Sequence, residues 1–310
     1  MNTQSSAVPG SFGSQGAAPA VLSATRPMYW SVRRELWENR SIYVAPLAVA
    51  AIFLFGFLIS TISLPRKMRA LLALVPAHQY SSIVQPYIFA AGLIMVTVFI
   101  VGAFYCLDAL HGERRDRSIL FWKSLPVSDL TTVLSKASIP FVVLPLLTFA
   151  ITVATQLIML LVSSAVLMGS GVSAAPLWNG SLVFQMSPAL LYHFLTMHVL
   201  GYAPIYGWLL LVSAWARRAP ILWATLPLLA IGVVEKIAFN TSHFAAMLQS
   251  VLIGGAGGDP FSEGGGISMN PLTHVAPGKF LGSPSLWIGL AVTAAFLAAA
   301  VRLRRYRGPI

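Results

Sequence analysis

The chain has 310 residues, of which 57% are hydrophobic and only 9% charged, and its mean hydropathy is +0.77. Soluble domains carry about a quarter charged residues, so the composition excludes a soluble globular fold and describes an integral membrane protein. The net charge of +11 is spread over short flanks between apolar runs, which argues for membrane-topology signals and against a nucleic-acid surface.

Residues 1–25 are rich in Ser, Gly, Ala, Pro and Gln with almost no large apolar side chain, too little to bury, and are expected to be a disordered tail. The first apolar run begins only near Ile42, after a charged segment, which does not match a cleaved secretory signal. Before it, MYWSVRRELWENRS places Tyr29, Trp30, Val32, Leu36 and Trp37 on one side at helical spacing, with Glu35 and Glu38 opposite. This predicts an amphipathic helix in the membrane interface, with Arg33 and Arg40 inside the apolar arc and snorkelling to headgroup phosphates. A plain flank of the first span is the alternative.

Runs of about twenty apolar residues are long enough to cross a hydrocarbon core of ~30 Å. Length and punctuation predict an all-α, polytopic domain over residues 26–310 with six spans, at 42–64, 86–110, 140–168, 189–214, 220–239 and 284–301. Pro145, Pro204 and Pro227 fall inside spans, where kinks are expected. With the amino terminus cytoplasmic, fifteen of the twenty Lys and Arg residues fall inside. Arg66, Lys67, Arg69, Lys236 and Lys279 remain outside, a bias that predicts both termini in the cytoplasm. The Arg66–Arg69 cluster violates that pattern. The outer segment 169–188 carries no charge and is expected to dip into the interface, and 240–283 holds seven glycines between Gly254 and Gly266, a linker by composition.

The connection between the second and third spans, GERRDRSILFWKSLPVSDLTTVLSK, is longer than a plain link requires. It mixes Glu113, Arg114, Arg115, Asp116 and Arg117 with Ile119, Leu120, Phe121 and Trp122. Bulky apolar groups among paired charges predict a surface that docks on another protein. Glu113 and Arg117 are spaced as one helical turn, and Ser128 with Asp129 is expected to cap a second helix running through Lys136. A headgroup-binding loop is the alternative.

With WSVRRELWENRSIYVAPL, the YCLDALHGERRDRSILFWKSLPVSDLTTVLSK loop and six spans, the chain from about Met28 onward resembles the permease subunit of ABC transporters of the ABC-2, or type V exporter-like, class. The resemblance implies an amino-terminal elbow helix with Trp30, Arg33, Arg34, Leu36 and Trp37. It also implies a cytoplasmic coupling helix whose ATPase contacts would be Glu113, Arg114, Arg115, Asp116, Arg117, Ser118, Phe121, Trp122 and Lys123. The chain contains no Gly-x-x-x-x-Gly-Lys-Ser/Thr, so a nucleotide-driven exporter would need a separate ATPase subunit holding ATP and Mg²⁺. Six spans are half of the usual twelve, which implies pairing with a second copy or a sister permease in the plasma (inner) membrane. The long glycine-rich 240–283 departs from the short re-entrant helices common in that class.

Tyr192, Met197, Tyr202 and Tyr206, in the fourth span, are candidate path-lining residues, and they suit helix packing equally. Asp108 and Glu235 lie near span ends, where structural roles are expected. A membrane enzyme or haem- or metal-binding redox subunit is the competing class, with His193, His198 and Glu235 as its groups. The two histidines are five apart, whereas metal pairs on one helix sit three or four apart. The single cysteine, Cys106, excludes an intrachain disulfide.

Overall fold

A computed structural model describes residues 25–71, 76–124, 127–178, 187–188, 190–192, 194–249 and 282–307. The expected tail, Pro126, His193 and most of the glycine-rich segment lie outside them. The described residues form helices joined by turns and short links, without strands. Backbone groups in hydrocarbon must be bonded within their own segment, and that leaves the helix as the natural state of these runs.

Helix α1 is Thr25–Glu38, followed by α2, Ser41–Thr61, and the short α3, Leu64–Leu71. Helix α4 covers Pro76–Ala109; α5, His111–Arg115, and α6, Ser118–Ser124, form the connection. Helix α7, Asp129–Ser138, runs through a π-helical segment, Ile139–Val143, into α8, Leu144–Gly169, and a single turn, α9, covers Ala175–Trp178. The π-helical Phe194–Gly201 precedes α10, Ala203–Trp215; then come α11, Pro220–Phe239, α12, His243–Gln249, and α13, Pro284–Tyr306.

Among the described residues five helices are long and apolar enough to cross a membrane: Ser41–Thr61, Ser82–Arg115, Asp129–Gly169, Pro220–Phe239 and Pro284–Tyr306. Leu190–Gly201 and Ala203–Trp215 qualify together as a sixth if the pair, bent by 42°, is one span. The bend falls at Gly201 and Tyr202, next to the expected kink at Pro204. The third span starts earlier than its sequence suggests. Pro140 does not open the helix but sits inside a continuous one, where the amide of Leu144 donates to the Ile139 carbonyl five residues back. That wider turn accommodates Pro140 and Pro145, which have no N–H to give.

Helix α8 is central, packed against α2 and α4. Thr148, Thr152, Thr155, Gln156, Ser163 and Ser164 are buried along it. Several turn their polar atoms to backbone: Thr148, Thr155 and Ser164 donate to carbonyls one turn back, and the Gln156 amide donates to the Tyr87 carbonyl at 3.3 Å. Helices α10 and α13 pack closely because Gly207 leaves room for Thr293; a Cβ there would lie 3.2 Å from the Thr293 methyl. In contrast, Ala224 is the one buried residue of α11, so this helix lies at the edge of the bundle with most of its surface exposed.

Candidate functional site: the charged end of the bundle

Helix α1, the α5–α7 connection, the end of α10 and the end of α13 meet at one end of the bundle. Span ends supply the charges, and the approach of the spans buries them.

Glu35, from α1, accepts from the Tyr105 hydroxyl at 2.9 Å and pairs with Lys136 Nζ at 2.7 Å. The same ammonium lies 3.1 Å from Glu113 Oε1. The other oxygen of Glu113 accepts from Arg304 Nη1, and Arg304 Nε reaches Asp129 at 3.2 Å. The Glu35, Glu113, Lys136 and Arg304 side chains are at most 6% exposed. Three carboxylates and two cations thus form one chain of contacts joining α1, α4, α5, α7 and α13. Taking such charges out of water costs several kcal/mol each, and only mutual pairing with full hydrogen bonding offsets the cost. The cluster therefore fixes the relative positions of its helices as a set.

The end of α10 is tied in separately. Arg114 Nη1 donates to the Ala214 and Ala216 carbonyls at 2.8 and 3.2 Å, and Arg307 Nη1 donates to the Trp215 carbonyl at 2.6 Å. Both guanidinium groups meet the negative end of the helix dipole, where cations are favoured. The amides of Leu110 and His111 both donate to Ser213 Oγ, at 3.0 and 2.9 Å, so the end of α4 is bonded to α10 as well.

The connection turns sharply at Arg117, which holds a left-handed φ of 59°. This conformation is uncommon for a residue with a Cβ. Arg117 is thus off the α5 helix, and the expected helical pairing of Glu113 with Arg117 does not form; Glu113 faces inward to Lys136 and Arg304 instead. Ile119, 1% exposed, anchors α6. Leu120 and Phe121 point outward, 57% and 61% exposed, beside exposed Arg115, Asp116, Arg117 and Lys123. Lys123 Nζ donates to the Arg307 carbonyl at 3.2 Å. Trp122 is half-buried, with the Arg34 guanidinium 3.5 Å from its ring centroid, a cation–π contact joining α1 to α6. Ser118 is half-buried against the Glu113 carbonyl. The expected cap of α7 is present: Ser128 Oγ accepts from the Thr131 amide at 3.0 Å.

Two of the nine residues assigned to the outer contact therefore lie inside the protein. Glu113 and Arg114 are 7% and 5% exposed and hold the arm in place, while its exposed residues are Arg115, Asp116, Arg117, Leu120, Phe121 and Lys123. In α1 the faces also differ from expectation. Glu35, expected on the polar side, is buried, and Val32 and Leu36 pack with it against the core. Tyr29, Trp30 and Trp37 face outward. Arg33 lies between two of these rings, 5.3 Å from Trp30 and 5.4 Å from Trp37, a combination suited to headgroup depth. Arg34 binds Glu38 through both guanidinium edges, at 2.6 and 3.0 Å.

Of the candidate path-lining residues, Tyr206 is a core residue, 1% exposed, with its ring centroid about 6 Å from those of Phe99 and Phe141. Tyr202 is half-buried against Phe99 at 4.7 Å, and Tyr192 is half-buried; the side chains of Met197 and His198 lie outside the described residues. An open groove of about 660 Å³ runs between α2 and α4, lined by Phe53, Phe57, Ser60, Gln85 and Phe89. Glu235 accepts from Thr241 Oγ1 and from the amides of His243 and Phe244, at 2.7–2.8 Å, so it joins α11 to the start of α12. Among the described residues no three His, Cys, Asp or Glu side chains are grouped to hold a metal ion.

Sequence reasoning did not find Glu35, Tyr105, Lys136, Ser213 or Arg304. Each is an ordinary flank or span residue by local pattern, and most of the partners lie far apart in sequence, 70 positions for Tyr105 with Glu35 and 191 for Arg304 with Glu113. The chain matches no family model, no curated protein and no solved structure.

Proposed function

We propose that this chain is the membrane-spanning subunit of an ATP-driven exporter of the ABC-2 permease class. It forms half of a translocation path and is driven by a separate ATPase at the charged end. The observation that carries the reading is the construction of the α5–α6 arm. It offers Leu120 and Phe121 outward among charges, while Glu113 and Arg114 bind it to α7, α13 and the end of α10, and Trp122 stacks on Arg34 of α1. Force applied to the exposed tip would reach α1, α7, α10 and α13 together, as a part that receives motion from an engine must allow.

On this reading the bent Leu190–Gly201 and Ala203–Trp215 pair is one span, six crossings place both termini with the arm in the cytoplasm, and a second permease completes the path. The fold-back of α12 on α11 through Glu235 suits the short re-entrant helices of that class, which the glycine-rich composition alone had argued against. The resemblance supplies the direction, export. No observation favours the redox reading, because Glu235 is engaged by Thr241, His243 and Phe244.

The test is co-purification of the full chain with an ATPase recognisable by its phosphate-loop sequence. Arg115→Glu, Arg117→Glu and Phe121→Ala combined should abolish co-purification while leaving membrane insertion and melting temperature unchanged. An ATPase that stays bound to this variant, or cargo moved by the chain with no ATPase present, overturns the reading.

A further inference from the structure

The Arg66, Lys67 and Arg69 cluster lies on α3, at the end of the bundle opposite Glu35 and Glu113. Helix α2 starts at the charged end and has 21 residues, so its far end is about 30 Å away at 1.5 Å per residue, one hydrocarbon thickness. Helix α3 follows directly. Leu64, Met68 and Leu71 recur at helical spacing toward the protein; Met68 is 2% exposed and packs in the cluster that holds Met159, Leu160 and Leu167 of α8. The opposite face carries Arg66, Lys67 and Arg69, all exposed. Arg69 Nη2 donates to the Ser170 carbonyl at 3.2 Å, closing the end of α8, which leaves Arg66 and Lys67 directed away from the bundle.

Among the described residues no carboxylate is within 4.0 Å of any of the three cations. Glu35, Glu38, Asp108, Glu113, Asp116 and Asp129 belong to the charged end. Glu235, at the end of α11, is the one described carboxylate of the opposite end, and it is engaged by Thr241, His243 and Phe244. A helix with its apolar face on the protein and two cations that no described carboxylate pairs, at the level where a span leaves the hydrocarbon, meets one abundant partner of opposite charge, the phosphate layer of the membrane.

We propose that α3 is a binding site for the phosphates of anionic lipid headgroups, which neutralise Arg66 and Lys67 and hold the α2–α3 corner at the membrane surface. The site depends on neither the ATPase nor the direction of transport.

The test uses the full chain in phosphatidylcholine bilayers containing phosphatidylglycerol with a photoactivatable headgroup, followed by mass spectrometry of the crosslinked peptides. The α3 peptide should be labelled by the phosphatidylglycerol probe in preference to a phosphatidylcholine probe. Arg66→Gln with Lys67→Gln should lower that labelling about tenfold or more, since each surface cation contributes roughly a fivefold preference. Arg66→Lys with Lys67→Arg should retain it, and Arg217→Gln with Arg218→Gln, at the charged end, should leave α3 labelling unchanged. Equal labelling by the two probes, undiminished labelling in the double Gln variant, or displacement by millimolar inorganic phosphate, which would mark a small-anion site, overturns the proposal.

Discussion

Glu113 shows how one side chain can be assigned the right neighbourhood and the wrong direction. Its sequence context, GERRDR, is dense in charge and reads as solvent-facing, yet its carboxylate is held between Lys136 and Arg304. Removing one member of a buried ion pair leaves the others unpaired and typically costs 3–5 kcal/mol, about. Glu113→Ala should therefore lower stability by roughly that amount, whereas Phe121→Ala, at an exposed position, should change it by less than about 0.5 kcal/mol. Denaturation in detergent, followed by tryptophan fluorescence, separates the two. Similar losses for both would mean that the ion cluster does not hold the helices together. Lys136 and Arg304 were legible as basic flanks, but nothing local marks them as partners of one carboxylate.

Helix identity was legible because hydrophobic length and the demand for internal hydrogen bonding are both local properties. Spans at 220–239 and 42–64 correspond to α11 and α2 within a few residues. Shape was less legible. Pro140 looked like a helix start because proline is favoured there, and a π turn instead carries the helix through it. At the other end of the bundle, α12 owes its placement to Glu235, whose carboxylate receives the first free amides of that short helix. Glu235→Ala should speed hydrogen exchange at His243 and Phe244, because it removes the side-chain cap of those amides. Glu235→Gln, which keeps an accepting oxygen, should lie between. Unchanged exchange in the alanine variant would remove the carboxylate from that role.

The whole molecule has charge at its two ends handled in opposite ways. At one end acidic and basic flanks are folded into a buried cluster; at the other, Arg66 and Lys67 have no described partner. This asymmetry makes membrane orientation measurable. Cys106 is buried and is the single cysteine, so the native chain is a silent background for thiol labelling. With the charged end cytoplasmic, as proposed, Lys67→Cys should react with an impermeant maleimide in intact cells, and Ser124→Cys only after permeabilisation. The reverse pattern would turn the protein over and remove the cytoplasmic arm on which the proposed function rests.

The sequence by itself determined that this is a helical membrane protein, roughly where its helices run, and that the connection after the second span is unlike a simple turn. These follow from quantities summed over neighbouring residues, namely apolar length, flank charge and capping. Tertiary structure alone decided that Glu35, Glu113, Asp129, Lys136 and Arg304 are one cluster and that Leu120 and Phe121 are the exposed tip. It also decided that Tyr206 is buried among Phe99 and Phe141. The physical reason is that burial and pairing depend on which distant span ends come within a few ångströms of each other, and side-chain order along the chain carries no record of that distance.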